Sequence, residues 1–200
     1  MGIKRAFKKV IYALKPSYVK VTVSTIQSGS TLNGKKIVIT GGSRGIGRAM
    51  AEKFIAEGAT VLITGRNSEN LDRAVKSINS PRLMGSIYDV DDIEGIPSFI
   101  DSCFRELGTI DVLVSNAGIS LHEGSIFNVT SDGFDKTIIT NLKSHYFMAK
   151  EFLRNKVERS EEGVLLFVTS KDGSVCNETP YGLTKAGMNS LVGGLIVGIL

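Results

Sequence analysis

The sequence predicts a doubly wound α/β domain built on a parallel sheet, and three observations carry that expectation. From Lys36 onward, short β-branched runs alternate with stretches of helical period, the signature of successive βαβ units. The strand candidates are apolar throughout, as strands covered on both faces are. A glycine-rich turn, "ITGGSRGIG", joins the first strand to the first helix.

The strands read in order as "KIVIT" (36–40), "TVLIT" (60–64), "RLMGSI" (82–87), "IDVLVS" (110–115) and "GVLLFVTS" (163–170). Between and after them, helical patterns occupy 45–57, 68–79, 97–107, 131–157 and 180–197. Gly58 suits a C-cap, and Pro97 suits the first turn of a helix. In the last helix Tyr181 and Lys185 are four residues apart, which places both on one face.

Residues 1–34 stand outside this rhythm and read as a basic N-terminal arm, leaving 35–200 as the domain. "IKRAFKKVIYAL" sets Ile3, Phe7, Val10, Ile11 and Leu14 near helical spacing, opposite Lys4, Lys8 and Lys9. Pro16 ends that helix. "YVKVTVSTI" then alternates like a strand, and "SGSTLNG" reads as a linker.

The composition, 42% hydrophobic over 200 residues, suits one globular domain. The longest uncharged run, Ala186 to Leu200, is too short to cross a bilayer. The apolar run Val10 to Leu14 is too short for the core of a signal peptide. Cys103 and Cys176 match neither a metal spacing nor a disulfide framework, so no metal site is expected and a reduced, cytoplasmic setting is the default. The net charge of +4 conceals an asymmetry: residues 1–51 hold ten Lys and Arg and no acid, whereas the rest holds 14 basic against 20 acidic residues. An acidic body argues against a nucleic-acid surface. The basic arm suits docking on an anionic membrane or an acidic partner, or equally packing on a neighbouring subunit.

In the turn, Gly41, Gly45 and Gly47 form G-x-x-x-G-x-G. Glycines there let a pyrophosphate approach the backbone, and the helix N-terminus supplies unpaired N–H groups and partial positive charge. The plain alternative is a glycine-rich connection with no ligand. An acidic residue about twenty positions on would hold a ribose 2′-hydroxyl. Gly65 stands there instead, with Arg66 beside it and Arg44 inside the turn. Two guanidiniums and no carboxylate suit a 2′-phosphate, and so NADP(H) over NAD(H).

From "LNGKKIVITGGSRGIG" to "YGLTKAGMNSL", about 160 residues, the chain resembles the short-chain dehydrogenase/reductase family. "TGGSRGIG" looks like its cofactor turn and "YDV" (88–90) like its adenine pocket. "SNAG" (115–118) is similar to its Asn-Asn-Ala-Gly segment, with Ser115 for the first Asn. Asn141 in "TNLKSHYF", Ser170 in "VTSKDG", and Tyr181 with Lys185 in "YGLTK" stand where the family places its catalytic residues. The resemblance implies a Rossmann-like sheet of order 3-2-1-4-5. It implies a cofactor site of Gly41, Ser43, Arg44, Gly45, Ile46, Gly47, Arg66, Asp89, Val90, Asn116, Ala117 and Gly118, completed by Tyr181 and Lys185. It also implies a small carbonyl or alcohol substrate and a homo-oligomer. His122, His145 and Cys176 have no partner at useful spacing and read as structural or incidental.

Hydride transfer to a ketone develops negative charge on oxygen, so a proton donor must stand beside it. A free tyrosine titrates near 10; a lysine one helical turn away would stabilise its phenolate. The resemblance makes Tyr181 the acid or base, and has Lys185 bond the nicotinamide ribose, Ser170 bond the reacting oxygen and Asn141 anchor a relay water. Two departures stand out: Ser170 precedes Tyr181 by only eleven positions, and the sequence stops at Leu200 where the family continues with two strands and a substrate-binding helix. The chain as given is therefore expected to be a poor catalyst, with its fifth strand edge and "LVGGLIVGIL" exposed. A non-catalytic nucleotide-binding or interaction protein derived from the family is the alternative.

Overall fold

A computed structural model describes residues 29–175 and 178–198. Five strands form one parallel sheet: β1 (Lys36–Ile39), β2 (Thr60–Gly65), β3 (Leu83–Ile87), β4 (Val112–Ser115) and β5 (Val164–Phe167). Their order is β3-β2-β1-β4-β5, as the family pattern implies. Ile39 pairs with Ile63 on one side and Val114 on the other, so the ends of the central strands are level. Between β1 and β4 the winding reverses direction, and this is where an open parallel sheet leaves a crevice.

Strand period and burial agree. Val38, Leu62 and Leu113 face one side, where α3 (Ile96–Leu107) brings Ile100 and Phe104 and α5 (Ser144–Arg159) brings Phe152. Ile37, Ile39, Val61 and Ile63 face the other, against Ala51 of α1 (Gly45–Ala56) and Leu71 and Ala74 of α2 (Ser68–Ile78). Each such Ile or Leu, fully buried, contributes about 1.5–3 kcal/mol before entropy is counted. The outer strand β5 differs: Val164 and Leu166 are 55% and 38% exposed.

Local chemistry sets the ends. Asn67 caps α2 by accepting from Asn70 N–H, and Asn79 closes that helix in the left-handed conformation. Pro97 falls in the first turn of α3. β5 stops at Phe167, short of the expected Ser170. Val168 N–H still reaches the Ser115 carbonyl, but the Val168 carbonyl is taken by Lys185 from α6 (Pro180–Gly198).

The stretch expected as one helix from 131 to 157 is a rod of three parts. α4 (Ser131–Ile138) passes into α5 through a π turn, Ile139–Lys143, in which Ser144 N–H bonds the Ile139 carbonyl five residues back. Thr140 and Asn141, both buried there, bond outward to Asp91 and Ile119.

Residues 29–34, read from sequence as linker, belong to the packed body. Gly29 N–H bonds the Glu57 carboxylate, Leu32 N–H bonds the Glu57 carbonyl, and Leu32 packs on the core. Lys53 and the Gly29 N–H hold the Glu57 carboxyl down at about 2. The expected helix at 3–14, the strand at 18–26, the docking role of the arm and Cys176 all lie outside the described residues. Among the described residues no helix is long and apolar enough to cross a membrane.

Candidate active site

A cleft of about 610 Å³ opens along the C-terminal ends of the strands. Its floor is the glycine turn. At Gly41, φ is +67°, and a Cβ would lie 2.9 Å from Ala117 Cα. At Gly47 a Cβ would lie 2.5 Å from both Asn116 Nδ2 and the Gly41 carbonyl oxygen. Side chains at either position would pry the turn from the next loop. Gly47 is buried beneath the cleft, while Gly41, Gly45 and Ile46 line it.

At one end, after β2, Ser43, Arg44, Gly65 and Arg66 line the cleft together. Arg66 lies 4.0 Å from Asp91 and is half exposed; Arg44 has no ion-pair partner among the described residues. Thr64, fully buried at the end of β2, also lines the cleft, and its Oγ1 has no hydrogen-bond partner. Asp89 and Val90 form the adjoining wall, with Tyr88 stacked on Phe99 at 4.1 Å between ring centroids.

The middle wall is the loop after β4. Thr40 Oγ1 accepts from Asn116 N–H (3.0 Å) and Ala117 N–H (3.1 Å). Asn116 Nδ2 donates to the Thr40 and Gly41 carbonyls, tying this loop to the glycine turn. Asn141 then pairs with Ile119 as a strand would: Oδ1 accepts from its N–H (2.8 Å) and Nδ2 donates to its carbonyl (2.7 Å).

At the far end stand Tyr181 and Lys185, both lining the cleft. Lys185 Nζ donates to the Val168 carbonyl at 2.8 Å and lies 5.5 Å from the centroid of the Tyr181 ring. Burial pulls the Lys185 ammonium below its ordinary pKa.

Two anticipated catalytic residues are placed differently. Ser170 does not line the cleft; its Oγ accepts from Asp172 N–H (3.2 Å) and caps the short turn Lys171–Gly173. Asn141 does not line it either, its amide being occupied by Ile119. Conversely, Thr64, Thr140 and Asp172 line the cleft and Thr40 stands against it, though sequence reasoning passed over them. Of the two histidines read as structural or incidental, His122 lines the cleft and His145 bonds the loop behind it. Only Asp172, two places after Ser170, had a signal that could have exposed it. The threonines carried none, because strand-end threonines are common.

A dinucleotide fits this donor set. Gly45 and Ile46, at the N-terminus of α1, line the cleft with no side-chain cap on that helix end, and the orphaned Thr64 hydroxyl would be free to bond a polar group placed there.

The short chain dehydrogenase family model matches residues 35–197. The chain belongs to that family. Among its relatives is the NADP(+)-dependent L-rhamnose 1-dehydrogenase of Thermoplasma acidophilum, 31% identical over 169 residues. That match covers 82% of this chain and 66% of the relative. The 3-oxoacyl-[acyl-carrier-protein] reductase FabG of Vibrio harveyi is 36% identical over 159 residues, covering 78% of this chain and 64% of that one. This chain thus spans just under two thirds of the length of these relatives. The crystal structure of a 3-ketoacyl-(acyl-carrier-protein) reductase from Brucella melitensis, complexed with NADH, is similar at TM-score 0.76 and 26% identity, covering 84% of this chain and 71% of that one.

Proposed function

We propose that this short-chain dehydrogenase is an NADP(H)-dependent oxidoreductase that moves a hydride between nicotinamide and a carbonyl or hydroxyl group of a small molecule. The observation that carries the reading is one continuous cleft with Arg44 and Arg66 at the β2 end and Tyr181 and Lys185 beyond β5. β2 and β5 are three strand spacings apart, about 14 Å, a span suited to an extended dinucleotide. The NADP(+)-dependent relative supports the cofactor preference.

The nicotinamide would supply or accept the hydride. Tyr181 would give its proton to the developing alkoxide in reduction and take it back in oxidation. Lys185, steered by the Val168 carbonyl, would stabilise the phenolate by its charge and bond the nicotinamide ribose. Ser170 would bond the reacting oxygen once its hydroxyl turns from Asp172 N–H. Asn141 would act through Ile119, holding the wall against which the cofactor lies. A homo-oligomer and a contact of the basic arm with an anionic membrane or an acidic partner belong to the same reading.

Titration of the protein with NADPH and NADH tests the cofactor half. NADPH should bind more tightly, and Arg66→Ala should shrink the difference by roughly tenfold, the loss of one charge-assisted phosphate contact. Equal affinities would overturn the preference. For the chemistry, Tyr181→Phe should keep NADPH binding and abolish carbonyl reduction; undiminished turnover would remove the tyrosine from its role. NADPH binding with no turnover of any carbonyl would favour the non-catalytic alternative.

A further inference from the structure

His145 is 1% exposed and sits on α5 one helical turn after Asn141. Its ring bridges the start and the middle of the cleft loop. Nε2 lies 2.7 Å from the Ala117 carbonyl, and Nδ1 contacts Ser115 Oγ. A carbonyl only accepts, so Nε2 carries the proton. Nδ1 is then the acceptor of the Ser115 hydroxyl. Burial keeps the ring neutral and so preserves this tautomer, with Lys185 the nearby cation that further disfavours protonation.

We propose that His145 is a positioning residue of the dinucleotide site, setting the gap between the Ser115–Ile119 loop and the glycine turn. The inference rests on the cofactor reading above. Four clamps hold the loop: Thr40 on its N–H groups, the Asn116 amide on the Thr40 and Gly41 carbonyls, Asn141 on Ile119, and His145 on Ser115 and Ala117. Among the described residues only His145 pulls the Ala117 carbonyl toward the helix. The gap is narrow, because Gly41 already approaches Ala117 so closely that a Cβ would meet its Cα at 2.9 Å. Freed from His145, the Ala117–Gly118 segment would drift toward the turn and into the space where the ribose and pyrophosphate of the cofactor would lie. Asn141 and His145 share one face of the rod, so a single element holds both ends of the loop.

Two replacements separate hydrogen bonding from space filling. His145→Phe keeps ring volume and loses both bonds; His145→Gln loses ring volume and keeps a donor that reaches the Ala117 carbonyl. We expect the Kd for NADPH to rise about tenfold in His145→Phe, with the 116–119 amides exchanging hydrogen about tenfold faster. His145→Gln should recover most of both, and Ser115→Ala, which removes the other bond of the ring, should fall between His145→Gln and His145→Phe. Ring 15N NMR of the unaltered protein at neutral pH should show a neutral ring protonated at Nε2. The proposal is overturned if His145→Phe matches the unaltered protein in affinity and exchange, if His145→Gln is as impaired as His145→Phe, or if the ring is protonated at Nδ1 alone. Should His145→Phe not fold, the ordering of His145→Gln and Ser115→Ala and the ring spectrum decide the matter. Should the unaltered protein not bind NADPH, the cofactor reading fails, and the exchange rates and ring spectrum still judge the clamp.

Discussion

The pair of residues with the most chemical leverage, Lys185 and His145, are both buried bases, and burial acts on them in the same direction. For His145 it pushes the pKa from 6.5 to about 4. A base with a depressed folded pKa is protonated first in the unfolded chain. Stability is therefore full above pH 6.5, falls as pH drops from 6.5 to about 4, and changes no further from this group below that. The displacement corresponds to about 3 kcal/mol. The Glu57 carboxylate, held down by Lys53, loses its contribution only at lower pH, between the ordinary carboxylate range and about 2. Denaturant midpoints compared at pH 7 and pH 5 should thus fall with acid, and His145→Gln should flatten the difference. An equal fall in the variant would assign the acid sensitivity to other groups. Neither the burial nor the tautomer of His145 is readable in "LKSHYF", because both arise from residues about thirty positions away in β4 and its loop.

At the scale of elements, the π turn is the least expected feature and the most consequential. Asparagine is unfavourable inside a helix because its amide competes for backbone groups. Here Asn141 does compete, and wins a backbone partner in another segment. The wider turn and the two bonds to Ile119 support each other: without the amide, the Ile119 N–H and carbonyl would lose these partners. Asn141→Leu should destabilise the protein by about 1–3 kcal/mol, from the two lost bonds. Chemical denaturation measures this, and a loss below about 0.5 kcal/mol would show the π turn to be indifferent to Asn141. The strands, by contrast, follow from local composition. Their apolar runs, the glycine turn and Pro97 all appear where the sequence pattern places them, within two residues or so except at the end of β5.

Across the whole molecule, the sheet has a well-protected middle and, among the described residues, two edge strands, β3 and β5. β1, β2 and β4 are covered on both faces, whereas β5 pairs with β4 alone among the described residues and leaves Val164 and Leu166 accessible. Leu183 and Ile196 of α6 are also exposed, at 48% and 59%. An open strand edge with apolar side chains invites pairing with another chain. The described chain should self-associate in a concentration-dependent way, and Leu166→Lys should reduce that association while leaving the β4 pairing intact. Light scattering over a dilution series would read the effect; an unchanged distribution in the variant would clear this edge of responsibility.

What the sequence determined by itself was the alternation of strands and helices, the glycine turn and the face shared by Tyr181 and Lys185. Each depends on residues within one or two turns of each other, so local sterics and period suffice. Family membership followed because those local signals occur in one order along the chain. Tertiary structure alone decided the rest. It turned Asn141 from the cleft to Ile119, engaged the Ser170 hydroxyl with Asp172, left Thr64 without a partner, and set His145 behind Ala117. The reason is physical: a buried polar atom takes whichever partner the packed chain brings within about 3 Å, and that partner lies far away in sequence.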